Sequence, residues 1–336
     1  MESIPVKVGL DYHQHSVQVG VMDMEGRLLG NRSCDNDWQA VTSFAERYGR
    51  VTGAAIEACT GAADLAEELV QRAGWSMHLA HPGYVNRMRQ NPDKHDWGDA
   101  RLLADLERVG YLPQVWLAPQ ETRELRRLVG YRQQLADERR TIKLRVGALL
   151  RDHRQICREA RPWTLAWFHW LSGAALGEHS RWIIERHMAR MEWVRREIVK
   201  VEKRLEKLTR DDPVVQKLLK HKGIGPVTAW VMRAYIGRFD RFRTGKQLSR
   251  FCGLSPRNAS SGERQADAGL IKAGHPDLRR TLIEAAHRLM RYTPEWQQRA
   301  RVLLGKGKPY CVVSAAIANR WMRRLFHQMQ APAQVA

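Results

Sequence analysis

The first 80 residues alternate short apolar runs with amphipathic segments, which is the pattern of an α/β domain. Residues 6–10 form an apolar run typical of a buried strand, and residues 16–22 alternate polar and apolar side chains as a half-buried strand does. A turn-like segment, residues 24–27, separates this second strand from a third that begins at Leu28. We expect the three strands to form an antiparallel meander.

The pattern continues with two helix–strand pairs. Helices are predicted over residues 38–48 and 62–73, and Gly74 can cap the second of them. Strands are predicted over residues 51–56 and 75–80. Three strands, a helix, a strand, a helix and a strand is the element order of a ribonuclease-H-like sheet. In that architecture the first and fourth strands lie side by side.

Beyond residue 118 the pattern is helical. Apolar residues recur at helical spacing between Leu125 and Leu150. In a second segment, the positions on one helix face are three and four residues apart in turn, which is a heptad seam. A coiled coil, either between chains or within one, is the favoured interpretation, and an amphipathic helix packed on its own domain is the alternative. The seam positions are Ile184, His187, Met191, Val194, Ile198, Val201, Leu205 and Leu208.

An aromatic stretch lies between the two helical segments. Trp163, Trp167 and Trp170 share a face if the stretch is a helix. A stripe at that spacing is more often part of a core than a surface on which bases stack, so we predict a core.

Composition excludes several classes of protein. The 336 residues can form two domains or more, and 43% hydrophobic residues indicate a globular fold. No apolar run approaches the ~18 residues of a membrane span, and the amino terminus lacks a signal-peptide pattern. The five cysteines form no Cys-x-x-Cys pair, so we expect neither a zinc site nor a disulfide framework. A cytoplasmic location is expected.

Charge is unevenly distributed along the chain. The 56 Lys and Arg residues against 36 Asp and Glu residues give a net charge of +20. Residues 1–118 hold 11 basic and 16 acidic residues, a net charge of −5, so residues 119–336 carry +25. An acidic amino-terminal part joined to a basic remainder is typical of a metal-dependent catalytic domain whose body binds a polyanion. A merely basic protein is the alternative.

Four acidic residues in the first hundred positions are candidate metal ligands. Asp11 and Glu57 each follow a predicted buried strand, while Asp96 and Asp99 are three residues apart and share a face on a helix. Asn91 or Asp93 is the expected cap of that helix. Converging carboxylates suit Mg²⁺ or Mn²⁺, and two such ions form the usual clamp for phosphodiester chemistry. On spacing alone, four unrelated surface acids remain the alternative.

The carboxy-terminal part, from about Asp212, contains a segment typical of a helix-hairpin-helix. Its tight turn would let backbone N–H groups approach a phosphate without reading sequence. The turn residues expected to contact nucleic acid are Lys222, Gly223 and Gly225.

Two serines in a basic loop are candidate nucleophiles. Ser260 and Ser261 precede Gly262, and turn chemistry alone explains serines beside a glycine. The alternative is a hydroxyl that attacks a phosphodiester held by neighbouring cations. Those cations, which we expect to bind nucleic acid, are Arg257, Arg264, Lys272, Arg279 and Arg280.

Six sequence blocks, in order, resemble the DEDD transposases of bacterial insertion sequences, which include the bridge-RNA-guided recombinases and the related Piv-type DNA invertases. The resemblance covers almost the whole chain. It rests on Val8-Gly9-Leu10-Asp11, the Glu57 block (residues 56–61), the Lys-x-Asp-x-x-Asp-Ala block (residues 94–100), the glycine turn (residues 223–229), Leu254-Ser255-Pro256, and Ser260-Ser261-Gly262 followed by Lys272-Ala273-Gly274.

The resemblance implies an α/β plus α fold in three domains. Residues 1–118 would form a RuvC-like mixed sheet, residues 119–211 a helical coiled coil, and residues 212–330 a mainly helical transposase domain that carries the serine. The four metal-binding acids of the family correspond to Asp11, Glu57, Asp96 and Asp99, and its serine corresponds to Ser261, with Ser260 as second choice.

The resemblance further implies cofactors and partners. Two Mg²⁺ or Mn²⁺ ions per site would activate the scissile phosphate while the serine becomes joined to DNA. A structured noncoding RNA would pair with donor and target double-stranded DNA. The coiled coil would make a homo-oligomer, a dimer or a tetramer, associated with the bacterial nucleoid.

Two departures from the family pattern stand out. The stretch from about residue 152 to residue 180 is longer than the usual helical connection, and Gly98 weakens the acidic helix by roughly 1 kcal/mol relative to alanine. Two other functions remain open. One is a Holliday-junction resolvase or related nuclease that uses the four acids with water. The other is a non-catalytic nucleic-acid-binding protein.

Overall fold

The computed structural model describes residues 4–88, 95–258, 267–271 and 274–330. The chain divides into two compact units, Met1–Gln120 and Glu121–Ala336. The helical segment and the carboxy-terminal part fall in the same unit, and the three-domain division remains a proposal. Within the described ranges, no helix has the length and apolar character needed to cross a membrane.

The first unit is built on a six-stranded mixed sheet in the order β3-β2-β1-β4-β5-β6. Strands β1, β2 and β3 form the predicted antiparallel meander, and β4 and β5 run parallel to β1. A two-residue strand, β6, pairs antiparallel at the edge and was not predicted, because two residues carry no periodicity. The strands are β1 (Pro5–Tyr12), β2 (Ser16–Asp23), β3 (Leu28–Asp35), β4 (Arg50–Glu57), β5 (Met77–Ala80) and β6 (Gln114–Val115).

Helices cover both faces of this sheet. Val6, Val8 and Leu10 of β1 pack in one cluster with the first two helices, and Ala55 of β4 packs on the opposite face against the last helix of the unit. The sequence pattern did not predict the third helix, which begins at Pro82 just after β5. The four helices are α1 (Trp38–Ala45), α2 (Ala62–Ala73), α3 (Pro82–Met88) and α4 (Asp96–Arg108).

Helix α4 lies unusually close to the sheet because two paired glycines face it. Gly9 of β1 is directly opposite Gly20 of β2. A Cβ placed on Gly9 would lie 2.0 Å from the carbonyl oxygen of Ala100 and 2.4 Å from the amide nitrogen of Ala104. Only a residue without a side chain fits this contact, so the glycine pair sets the depth at which α4 sits.

The first turn of α4 is held by a histidine cap rather than by the predicted Asn91 or Asp93, which lie outside the described residues. Nδ1 of His95 accepts a hydrogen bond from the amide of Gly98 at 2.9 Å. A Cβ on Gly98 would lie 2.4 Å from His95 Cε1. Gly98 therefore makes room for the cap, which explains a glycine that the sequence analysis treated only as a helix-weakening residue. Asn31 of β3 also donates to the Trp97 carbonyl oxygen at 2.8 Å.

We expect Gly9→Ala to destabilise the first unit and to displace α4. The new methyl group meets backbone atoms, which cannot rotate away, so the cost should be about 1–3 kcal/mol. Thermal unfolding of the full chain measures it. Gly83→Ala is the matched control, because its Cβ would lie 3.4 Å from His81, an ordinary contact. Equal stability of the two variants would contradict the close-packing argument.

The second unit begins with two long helices that form an antiparallel hairpin, α5 (Gln120–Asp152) and α7 (Glu178–Thr209). Arg132 of α5 donates to Glu202 of α7 at 2.8 Å, and Arg190 of α7 donates to Glu138 of α5 at 2.6 Å. His153 and Ser180 hydrogen-bond near the tip at 2.8 Å. These pairs run in opposite directions along the two helices.

The heptad seam of α7 is therefore buried within one chain. Met191, Val194 and Leu205 are fully buried in a cluster that contains Leu135, Ile142 and Val146 of α5. The expectation that this seam joins subunits is corrected, because its apolar side chains already pack inside the protomer. Leu208, the last predicted seam position, is instead exposed.

The aromatic stretch at the hairpin tip is a core, as predicted. Trp167 is buried, and its ring centroid lies 4.8 Å from that of Trp163 and 6.2 Å from that of Trp170. The helix α6 (Leu165–Gly173) begins only after Trp163, so the three rings cluster without sharing one helix face.

Helices of 7 to 21 residues and one strand pair make up the rest of the described second unit. Buried Ile224, Ala229 and Leu282 belong to the same apolar cluster as the hairpin. The elements are α8 (Pro213–Leu219), α9 (Pro226–Ile236), α10 (Gly245–Phe251), β7 (Pro256–Asn258), β8 (Asp267–Leu270), α11 (Pro276–Tyr292), α12 (Pro294–Gly305) and α13 (Tyr310–Gln330).

Candidate active site

The ends of β1 and β4 place two of the predicted acids side by side. The parallel register pairs Leu10 with Ile56, so Asp11 and Glu57 are the next neighbours across the two strands. Gly53 of β4 faces α4, because a Cβ there would lie 2.5 Å from Glu107 of that helix. Side chains alternate along a strand, so Glu57, four residues later, faces the same side.

Helix α4 brings a third carboxylate to this point, together with a histidine. Nε2 of His13 lies 3.4 Å from Oδ2 of Asp11 and 3.1 Å from Oδ2 of Asp96. Ligand atoms of these three residues all lie within 4.8 Å of one another. Among the described acidic, histidine and cysteine residues, these three side chains lie close enough together to hold one metal ion. Glu57 and Asp99 are not part of that group.

His13 was not among the ligands predicted from the sequence. It follows Asp11 by two residues, and in an extended chain residues i and i+2 point to the same face. That spacing, next to a strand-ending aspartate, is the signal that could have found it.

The site combines buried and accessible carboxylates. Asp11 is 7% exposed and Asp99 is 4% exposed, whereas more than half of the Asp96 side chain is accessible. Asp96 and Asp99 both lie in the first turn of α4. The helix N-terminus carries a partial positive charge, which favours ionised carboxylates there. Carboxylates gathered this closely favour a bound cation.

An exposed tryptophan borders this group on α4. Trp97 follows Asp96 directly and is 44% exposed, and the guanidinium of Arg101 lies 5.9 Å from its ring centroid. Its backbone carbonyl is held by Asn31, as described above. The aromatic ring and the cation form a surface that suits a nucleotide rather than an apolar partner.

The candidate serines lie in the second unit, outside the described residues. Ser260 and Ser261 fall between β7 and β8, which pair antiparallel. The amide of Ile271 donates to the Ser255 carbonyl oxygen at 2.9 Å and closes the base of that hairpin. Arg264 and Lys272 also lie outside the described residues. Arg257 is exposed on β7.

The predicted phosphate-binding turn joins α8 to α9. Gly223 has a φ of +86°, which favours glycine, and the amide of Ile224 donates to the His221 carbonyl oxygen at 3.2 Å. Gly225 precedes α9 without a side-chain cap, and Lys222 lies within the turn. The arrangement leaves the first backbone N–H groups of α9 without a side-chain acceptor from the cap residue.

The two arginines of α11 that were predicted to bind nucleic acid, Arg279 and Arg280, differ in their surroundings. Arg280 donates to Asp137 of α5 at 2.8 Å and also pairs with Asp277. The hydrogen bond to Asp137 is the largest cause that raises the pKa of Arg280, and the hydrogen bond to Asp277 adds to it. Its charge is already compensated, so Arg280 stabilises the packing of α11 on α5. Nη1 of Arg279 is buried with no hydrogen-bond partner among the described residues.

Comparison with known proteins identifies relatives along the whole chain. A family model of IS110-type DEDD transposases matches residues 8–154, and a second, for the transposase IS116/IS110/IS902 family, matches residues 215–301. A "Probable family 20 transposase" of Pseudomonas aeruginosa is 29% identical over 95% of both chains. The "Transposase for insertion sequence element IS1111A" of Coxiella burnetii is 25% identical over 85% of this chain and 78% of its own. The chain is therefore a transposase, similar along its length to the IS116/IS110/IS902 family of DEDD transposases.

Proposed function

We propose that this transposase cuts and rejoins DNA with a metal-bound acidic site and a serine nucleophile, guided by a structured RNA. The observation that carries the proposal is the convergence of Asp11, His13 and Asp96 within 4.8 Å at the end of β1. The remaining acids of the family pattern, Glu57 and Asp99, lie on the neighbouring strand end and in the same helix turn.

The donor set fits a divalent metal ion. Carboxylate oxygens are the preferred ligands of Mg²⁺ and Mn²⁺, and imidazole nitrogen is accepted more readily by Mn²⁺. Asp11, Asp96 and His13 would hold the first ion, with Glu57 and Asp99 available for a second. When bound, divalent ions polarise a scissile phosphate and stabilise the oxygen that leaves.

The protein's own residues position the substrate around this point. Trp97 and Arg101 offer an aromatic face and a cation beside the acids. The glycine contact between β1 and α4 fixes the separation of Asp11 from Asp96, because the helix backbone rests on the strand. In the second unit, taken by itself, Arg279 has a buried Nη1 with no hydrogen-bond partner among the described residues, and this nitrogen is suited to a phosphate oxygen.

The covalent step would be carried by Ser261, or by Ser260. The serine Oγ bonds to phosphorus while the bond from phosphorus to the leaving deoxyribose oxygen breaks. The serine proton passes to a base, and the leaving oxygen takes up a proton. One phosphoester replaces another, so the reverse attack by a DNA hydroxyl rejoins strands without an external energy source.

The proposed partners follow from charge. The +25 net charge of residues 119–336 suits two polyanions, donor or target DNA and a structured RNA that selects them by base pairing. The turn between α8 and α9 would contact backbones without reading sequence. A homo-oligomer remains part of the proposal, but its interface must lie outside the buried seam of α7.

A Holliday-junction resolvase that uses water as nucleophile is the second candidate. The same carboxylates would serve either reaction, because a bound metal ion activates the scissile phosphate whichever nucleophile attacks it. The two differ in their products, since only the serine route leaves protein covalently joined to DNA.

The direct test is strand cleavage by the full chain on DNA that carries the ends of its own element together with the adjacent noncoding RNA. We expect cleavage in Mg²⁺ or Mn²⁺ and none in excess EDTA. Cleavage that persists in EDTA would exclude the metal site.

We expect His13→Asn to weaken Mn²⁺ binding by about 10- to 100-fold, the usual cost of losing a residue that holds or orients a metal site. Calorimetric titration of Mn²⁺ into the full chain measures this without cleavage. His15→Asn is the matched control, because His15 is exposed and belongs to no ligand group among the described residues. Equal Mn²⁺ affinity in the two variants would remove His13 from the site.

A further inference from the structure

A concave pocket lies between α11, α12 and α13, in the second unit. Its volume is about 560 Å³, within the range of about 300–1,000 Å³ that holds a small ligand. None of the described residues that line it is acidic. The polar and aromatic residues around it are His287, Arg288, Arg291, Tyr292, Gln297, Arg301 and Tyr310.

Within the described ranges, no carboxylate pairs with the cations of this pocket. Arg288, Arg291 and Arg301 form no ion pair with a carboxylate in the part of the chain that the structure describes. By contrast, Arg324 of α13 forms an ion pair with Glu295 of α12 at 2.6 Å. Three guanidinium groups that line one pocket without a carboxylate partner among the described residues favour an anion, and their planar forks suit phosphate oxygens.

Two exposed aromatic rings complete the pocket. Tyr292 is 71% exposed, and Arg291 lies 5.3 Å from its ring centroid. Tyr310 is 53% exposed, with its ring 5.4 Å from that of His287. Exposed rings beside uncompensated arginines are the usual combination for stacking a base while its phosphates are held.

The shape selects an unpaired nucleotide over a duplex. In double-stranded DNA the base faces are already stacked, and only base edges and backbone reach a protein surface. A pocket of this volume admits a base that has left its stack, and Gln297 supplies an amide to the pocket lining.

We propose that this pocket, lined by Arg288, Tyr292, Arg301 and Tyr310, captures an unstacked nucleotide of single-stranded DNA. The proposal rests on the proposed function only in taking DNA as the partner. Breaking and exchanging DNA strands exposes unpaired bases, and a site of this chemistry holds one of them apart from its former complement.

The test is binding of the full chain to a fluorescent oligothymidine of about 20 nucleotides, compared with a duplex and an oligouridine of equal length. Tyr292→Ala should weaken oligothymidine binding about fivefold or more. The double variant Arg288→Gln/Arg301→Gln should lower the slope of log affinity against log salt by about 1.4. Duplex binding should stay within about twofold.

The controls are matched in exposure and position. Tyr111 is also 71% exposed, so Tyr111→Ala removes an equal ring elsewhere. Arg299→Gln removes an exposed charge from α12 outside the pocket. Tyr292→Phe keeps the ring and should keep binding. Cross-linking of an iododeoxyuridine oligonucleotide should label the peptide that contains Tyr292.

Three results would overturn the proposal. They are unchanged oligothymidine binding in the pocket variants, equal loss of single-strand and duplex binding, and a loss confined to oligouridine, which would assign the pocket to RNA. Failure of the proposed function is separable, because Asp11→Asn should lose cleavage while its oligothymidine binding remains intact.

Discussion

Asp11→Asn should reduce strand cleavage by at least about a thousandfold while nucleic-acid binding stays within about twofold. The substitution removes one ionised oxygen from the end of β1, where the side chain is almost fully buried beside His13. A metal ion contributes several kcal/mol of transition-state charge stabilisation, and about 4 kcal/mol corresponds to a thousandfold in rate. Asp99→Asn should behave in the same way. Cleavage of a labelled donor DNA, with binding measured in parallel, checks both.

Asp23→Asn is the control for this experiment. Asp23 is another buried aspartate of the same sheet, 8% exposed, and its partner across the strands is Val6, at the opposite end of β1 from Asp11. Its Oδ1 accepts a hydrogen bond from the amide of Arg27 at 2.7 Å, which asparagine retains. If Asp23→Asn lost as much cleavage as Asp11→Asn, the loss would reflect folding, and the metal assignment would fail.

Ser261→Ala should abolish both cleavage and a covalent protein–DNA species. The change removes the attacking oxygen but no charge and little volume, so folding, metal binding and nucleic-acid binding should survive. In the unsubstituted chain, DNA and Mg²⁺ should give a species that resists denaturation and collapses on nuclease digestion. Mass spectrometry should then find a nucleotide on the peptide that contains Ser260 and Ser261.

The neighbouring serine provides the comparison. Ser260→Ala should keep the covalent species if Ser261 is the nucleophile, and the reverse outcome would exchange their roles. Undiminished cleavage by the double variant would mean that water attacks, and the resolvase mechanism would replace the serine mechanism.

The sheet and the neighbouring positions of Asp11 and Glu57 were predictable, because strand periodicity and chain order fix which strand ends are adjacent. Each acid follows an apolar run, and a ribonuclease-H-like order puts the first and fourth runs together. Strand order β3-β2-β1-β4-β5 confirms that inference. The depth of α4 was not predictable, since it depends on Gly9 and Gly20 becoming partners across two strands.

The local details of the site depend on contacts that periodicity does not encode. His95 is an unusual cap, because Ser, Thr, Asp and Asn dominate that position. It works here since Gly98 leaves space for the imidazole. The heptad period of α7 was visible in the sequence, but a period does not show which helix packs against the seam. Only the reversal of the chain between α5 and α7 shows that the partner is α5.

The hairpin of α5 and α7 also has a fixed length. At 1.5 Å per residue, the 33 residues of α5 extend about 50 Å, close to the axial length of 15 base pairs of DNA. The seam repeats every seven residues. An insertion in one helix therefore keeps the apolar positions in phase only if it is a whole heptad, and the other helix must gain a heptad as well. The tip around α6 has no such constraint. The length of the tip can therefore change without shifting the seam, whereas the span of the two helices can change only in steps of about 10 Å.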